Sequence, residues 1–105
     1  MLQQIAADLL DIVEKATPFL RAIDADDAAL RPSPNKWSRK EILGHLIDSA
    51  SNNHQRFVRG QAAESLVGPG YEQDHWVRCQ GYIEHDWNEM VDFWRLYNRH
   101  IVQVI

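Results

Sequence analysis

The chain has 105 residues, 45% of them apolar and 25% charged, with four tryptophans, one cysteine and a formal net charge of −4. That length allows a single domain, and that composition describes a globular chain rather than a disordered one. Arg39, Lys40, Arg56, Arg59, Arg95 and Arg99 are dispersed among acids, which excludes the clustered positive surface that nucleic acids need.

The first helix is expected from about Leu2 to about Ala22, with Leu2, Ile5, Leu9, Val13, Ala16, Leu20 and Ile23 on one face at helical spacing. Pro18 removes a backbone donor and predicts a kink near its end. The acidic run Asp24-Ala25-Asp26-Asp27 and the proline pair of Arg31-Pro32-Ser33-Pro34-Asn35 read as a connecting loop.

The second long helix starts at Ser38 and reaches about Gly60. Ser38 and Glu41 form a capping box, in which each side chain accepts the other residue's backbone N–H. Trp37, just before the cap, is placed to pack on Ile42 as a hydrophobic staple. The expected apolar face is Ile42, Leu43, Leu46, Ala50, Asn53 and Phe57. The opposite side carries Glu41, His45, Asp48, Asn52, Arg56 and Arg59.

Gly68-Pro69-Gly70 is a strong breaker after this helix. A short helical turn follows over Asp74 to Gln80, stopped by Gly81. The third long helix opens at Asp86, with Glu89 three residues on as a second capping box. Its apolar face is Trp87, Met90, Trp94, Tyr97, Ile101 and Val104, and its acids lead while its bases trail, in keeping with the helix dipole. No strand-like alternation is present, so the expected fold is all-α: three long helices plus a short helical turn in one domain, 1–105. Three such helices bury wide apolar faces poorly, and a fourth is the usual remedy. The pattern stops in mid-course at Val104-Ile105, so the expectation is either a second copy of the chain or a longer natural chain. Trp76, Tyr82, Trp87, Trp94 and Tyr97 read as core aromatics rather than a ligand box.

No stretch approaches ~18 consecutive apolar residues, so no transmembrane helix and no membrane partner is expected. Met1-Leu2-Gln3-Gln4 lacks the charged and apolar regions of a secretion signal. The lone Cys79 rules out an internal disulfide and fits a cytoplasmic protein. It reads as a half-buried small apolar residue.

Of the five histidines, none stands three or four residues from another, so no complete histidine metal site is visible. His75 and His85 fall in the less regular stretch, and His54, His85 and His100 read as surface residues. His45 has Glu41 one turn before it and Asp48 one turn after. The plain reading is a solvated polar face with charge-pair support. The sharper reading is a metal-binding or catalytic histidine with a carboxylate orienting its second ring nitrogen. Its place at the border of the apolar face favours the plain one.

The run Lys36-Trp37-Ser38-x-x-Glu41-Ile42-Leu43-Gly44-His45-Leu46-x-Asp48-Ser49, followed by Asn53, Arg56 and Phe57, resembles the DinB-like (YfiT-like) superfamily. Tyr71, Trp76-Val77, Gln80-Gly81-Tyr82, Asp86-Trp87 and Asn98-Arg99-His100 resemble one branch of it. The resemblance implies an up-down-down-up four-helix bundle, usually a homodimer or higher homo-oligomer. It implies a divalent metal, nickel or zinc, on three histidines, with His45 at the position of the first and Glu41 or Asp48 behind it. The other two form a His-x-x-x-His pair on a fourth helix, and this chain shows no such pair. The implied activity is metal-dependent transfer, isomerisation or hydrolysis on a small or thiol-bearing substrate. The alternative from the residues alone is a metal-free helical module that self-associates.

Overall fold

The computed structural model describes residues 2–61 and 71–105, and all its regular structure is helical, with no strand among the described residues. Helix α1 runs Leu2–Ala22 and continues through the exposed Pro18. The hydroxyl of Thr17 donates to the Val13 carbonyl at 2.7 Å. Val13 and Thr17 are buried, and Leu9, Ala16, Leu20 and Ile23 pack beside them. The expected face departs from this at its start, where Leu2 and Ile5 are exposed.

The acidic segment expected as loop forms a short helix, α2, over Ala25–Ala29. Asp24 caps it by accepting the Asp26 N–H at 3.1 Å, and Asp26 and Asp27 sit at its positive end. The same aspartates that suggested a break are the right residues to start a helix. Ala28 is fully buried and anchors the segment.

Helix α3 spans Arg39–Gln61. Its capping box is formed in full: Ser38 Oγ accepts the Glu41 N–H, and Glu41 Oε1 accepts the Ser38 N–H, both at 3.1 Å. The expected apolar face of α3 needs correcting. Leu43, Ile47 and Ala50 are buried, whereas Ile42 and Leu46 are 46% and 43% exposed and Asn53 is exposed. Glu41 and Asp48, placed on the outer side by the wheel, are buried. The reason is tertiary: α4, the turn after it and α5 cover the Leu43–Ile47 flank and its polar neighbours, and little covers the flank of Ile42 and Leu46.

The breaker Gly68-Pro69-Gly70 lies outside the described residues. Helix α4 then spans Gln73–Gln80 and ends at Gly81, whose φ of 65° is the left-handed value that glycine adopts without strain. His75 therefore lies on a helix. Cys79, expected to be half-buried, is exposed, because α4 turns Val77 inward instead. A 3₁₀ turn, Tyr82–Glu84, leads to α5, Trp87–Val104. Asp86 caps α5 by accepting the Glu89 N–H at 3.0 Å.

Helix α5 is the axis of the molecule. Trp87, Met90, Val91, Trp94, Asn98 and Ile101 are buried along it, which adds Val91 and Asn98 to the expected face and leaves Tyr97 and Val104 half-buried. The Trp87 indole N–H donates to the Leu20 carbonyl at 2.9 Å and ties the end of α1 to the start of α5. Both α1 and α3 pack along α5, yet hardly touch each other. The shortest principal extent is 18 Å, less than two helix diameters of about 10–12 Å each.

Candidate functional site around His45

Between α1 and α3 runs an apolar groove of about 310 Å³, floored by α5. Leu9, Ile12 and Val13 form one wall, and Leu46, Ser49 and Phe57 the other. Ile12 is 61% exposed, so the groove is open along its outer side. An exposed apolar recess of this kind, continuous with the core, is unusual on a finished surface.

His45 does not itself line this groove, but it stands one residue before Leu46 and one turn before Ser49 of the groove wall. The ring is half-buried, between two aromatic neighbours. Trp37 is tilted against it with centroids 5.3 Å apart, and Tyr71 stacks at 6.3 Å. The Tyr71 hydroxyl lies 3.2 Å from His45 Nδ1 and also shares a hydrogen bond with Ser49 Oγ. The three side chains form a run of hydrogen bonds, Ser49–Tyr71–His45, that ends on the groove wall.

The two carboxylates beside His45 in sequence are engaged elsewhere. Glu41 takes both Arg31 Nε and Nη2, at 2.8 and 2.9 Å, in a bidentate pair, besides its capping bonds to Ser38. Arg31 holds the Glu41 carboxyl below the usual carboxylate range; burial opposes this and the Ser38 hydrogen bonds reinforce it. Asp48 accepts from Tyr82 Oη at 2.7 Å and from Gln80 Nε2 at 3.1 Å. At 100° per residue both carboxylates are offset from the His45 direction. Each has been taken by the nearest element on its own side.

Among the described residues no group of three His, Cys, Asp or Glu side chains converges as a metal site would require. His45 supplies one imidazole, and its neighbours Tyr71, Ser49 and Trp37 are not ligands that nickel or zinc favours. This residue set does not by itself fit a resident ion. The fold does bring two other histidines together. His54 of α3 and His100 of α5 lie 5.2 Å apart, ring to ring, and His54 Nδ1 is 2.8 Å from the Tyr97 hydroxyl. Forty-six residues separate this pair in the chain, so no local spacing rule could reveal it. The Tyr71 contact was hidden in the same way, being 26 residues from His45.

Comparison with known proteins found no match to a family model, a curated protein or a solved structure. No helix among the described residues is long and apolar enough to cross a membrane.

Proposed function

We propose that this chain is a DinB-like helical bundle protein that works as an assembled unit, with a helix of a second copy seated in the α1–α3 groove. The observation that carries this is the groove itself. Two of the three long helices diverge, and the apolar space between them is open where a four-helix bundle would be filled. Beside the groove the same chain presents a matching ridge. Ile5, Ile12 and Phe19 recur every seven residues along α1 and are 48%, 61% and 78% exposed. A seven-residue repeat of exposed apolar side chains is the seam of a helix–helix contact. Ridge and groove share Ile12, so a two-fold pair can lay each ridge along the other's groove.

Light scattering tests this. The wild-type chain is expected at the mass of a dimer. Ile12→Glu and Leu46→Glu, which put charge into the groove walls, are expected to release monomer with helical content unchanged. A monodisperse wild-type monomer at high concentration would overturn the proposal.

A second reading has an observation of its own. Tyr71 bonds both His45 and Ser49 of the groove wall, on the stretch most like the DinB-like family. In that reading His45 is one donor to nickel or zinc. The remaining donors come from the element seated in the groove, and the assembled site acts as a metal-dependent transferase or hydrolase on a small or thiol-bearing substrate. Metal analysis of purified protein separates the two readings. Stoichiometric nickel or zinc that disappears in His45→Ala supports the enzyme, and no metal in either sample leaves the association module.

A further inference from the structure

We propose that a second cleft, on the far side of α3 from the groove, binds a small organic cation bearing an alkylammonium or alkylguanidinium group through Asp48. The proposal is independent of the groove and of His45. The cleft has a volume of about 390 Å³ and lies between α3 and α5, closed at one end by the Gln80–Tyr82 segment. This is within the range of small-molecule sites, at its lower end.

Asp48 is the reason to expect a ligand. Its side chain is among the most buried in the molecule, at 1% exposure, and it lines the cleft. Oδ1 takes the hydrogen bonds from Tyr82 and Gln80. Oδ2 is buried with no hydrogen-bond partner among the described residues. A buried carboxylate oxygen without a donor is costly, and native structures rarely leave one so. Burial and the Asp48 contact raise the Tyr82 hydroxyl above the ordinary phenol range, so it remains a proton donor and Asp48 an acceptor. Gln80 and Tyr82 are both committed to Oδ1, no donor among the described residues bonds Oδ2, and the cleft that Asp48 lines is the route by which a ligand's donor can approach it.

The lining sets the sign of the charge. Asp48 and Glu89 both border the cleft, and among the described residues that line it there is no lysine or arginine and the one basic side chain is His85. The walls set the rest of the chemistry. Phe93 and Tyr97 stack with centroids 5.6 Å apart at 10°, giving an aromatic wall that favours a cation with an apolar stem. A bare metal ion fits poorly. The Gln80 and Tyr82 hydrogens already point at Asp48, and although His85 borders the cleft with Asp48 and Glu89, no three such side chains among the described residues converge as a metal site requires. A group that carries its own N–H donors supplies both what Oδ2 lacks and the charge the cleft calls for.

An NMR titration of the ¹⁵N-labelled chain tests this directly. The probes are n-butylammonium and n-butylguanidinium chlorides, with n-butanol and sodium butyrate as neutral and anionic controls. The Gln80 side-chain amide, bonded to Asp48, is the local reporter, and the Trp94 indole N–H is the remote one. The cationic probes are expected to shift the Gln80 amide saturably while Trp94 stays still, and the controls are expected to do neither. Asp48→Asn keeps the shape and removes the charge, and should weaken binding by roughly tenfold or more, as loss of a charged hydrogen bond implies. Glu89→Gln, at an exposed position, should weaken it by about two- to fivefold without touching the fold. Absence of a saturable shift with either cation, or equal binding of n-butanol, overturns the proposal. So does unchanged affinity in a folded Asp48→Asn variant. If that variant does not fold, Glu89→Gln decides: a loss of affinity supports the site and no change refutes it.

Discussion

The two flanks of α3 meet very different company. On one, Gly44 and Asp48 are pressed against Tyr82, and polar groups are buried almost completely. On the other, Ile42 and Leu46 are nearly half exposed beside an open groove. Hydrophobicity alone placed Leu43 and Ala50 correctly inside, but it also put Ile42 and Leu46 inside and Glu41 and Asp48 outside, and the structure reverses those four. A polar side chain is buried here because a tertiary partner meets it: Arg31 for Glu41, Tyr82 and Gln80 for Asp48. Apolar side chains stay exposed where no helix among the described residues lies over them. One flank is closed by its own chain, and the other borders an open apolar groove.

Variants on the closed side should be costly, and variants on the open side should change assembly instead. The largest effect is expected from Trp87→Ala, which empties a site 2% exposed and deletes the indole bond to Leu20. A loss of about 3–5 kcal/mol in urea unfolding is expected, as for other buried aromatics cut to alanine. Gly44→Ala comes next. A Cβ at that position would overlap the ring of Tyr82, which is buried and fastened to Asp48 and so has little room to move. The gain in helix propensity is about 1 kcal/mol, and overpacking typically costs about 1–3 kcal/mol, so a net loss is expected. A melting midpoint that rises instead would show that the ring can step aside.

Ser38→Ala should cost about 1 kcal/mol as a lost cap, measured in the same unfolding assay. Acid sharpens the contrast further. The folded Glu41 carboxyl lies below its usual range because of Arg31. Its contribution to stability is therefore complete above the unfolded value of about 4.3. It is lost as pH falls through the lower folded value. Arg31→Ala should flatten that part of the pH–stability curve, and an unaltered curve would remove Arg31 as the cause. The smallest effect on stability is expected on the open flank. Leu46→Glu should change the unfolding free energy of the monomer by no more than about 0.5 kcal/mol, as exposed sites usually do. A large loss there would mean that the groove is already packed within a single chain.

Much of the fold was legible in local signals. Ser38 with Glu41, Asp86 before Trp87, and Gly81 after Gln80 mark helix ends through interactions that span three or four residues, and the structure places the ends there. The site was less legible. His45 could be singled out from its position on α3 and from the family resemblance. Its actual hydrogen-bond partner, Tyr71, and the partners of Asp48, 32 and 34 residues away, left no periodic trace. The short α2 was missed because aspartate both interrupts a helix and starts one, and only the buried Ala28 decides which.

What the chain determined by itself is whatever depends on neighbours within one turn: the helical class, the caps, the glycine stop, and the stripe of α5 that faces inward. Such contacts form with almost no loop to close, so local residue types suffice to specify them. The tertiary structure alone decided which flank of α3 is covered, which carboxylates are buried, and where the open groove lies. Those outcomes depend on which distant segment arrives at each face, and a helix wheel carries no information about what stands opposite it.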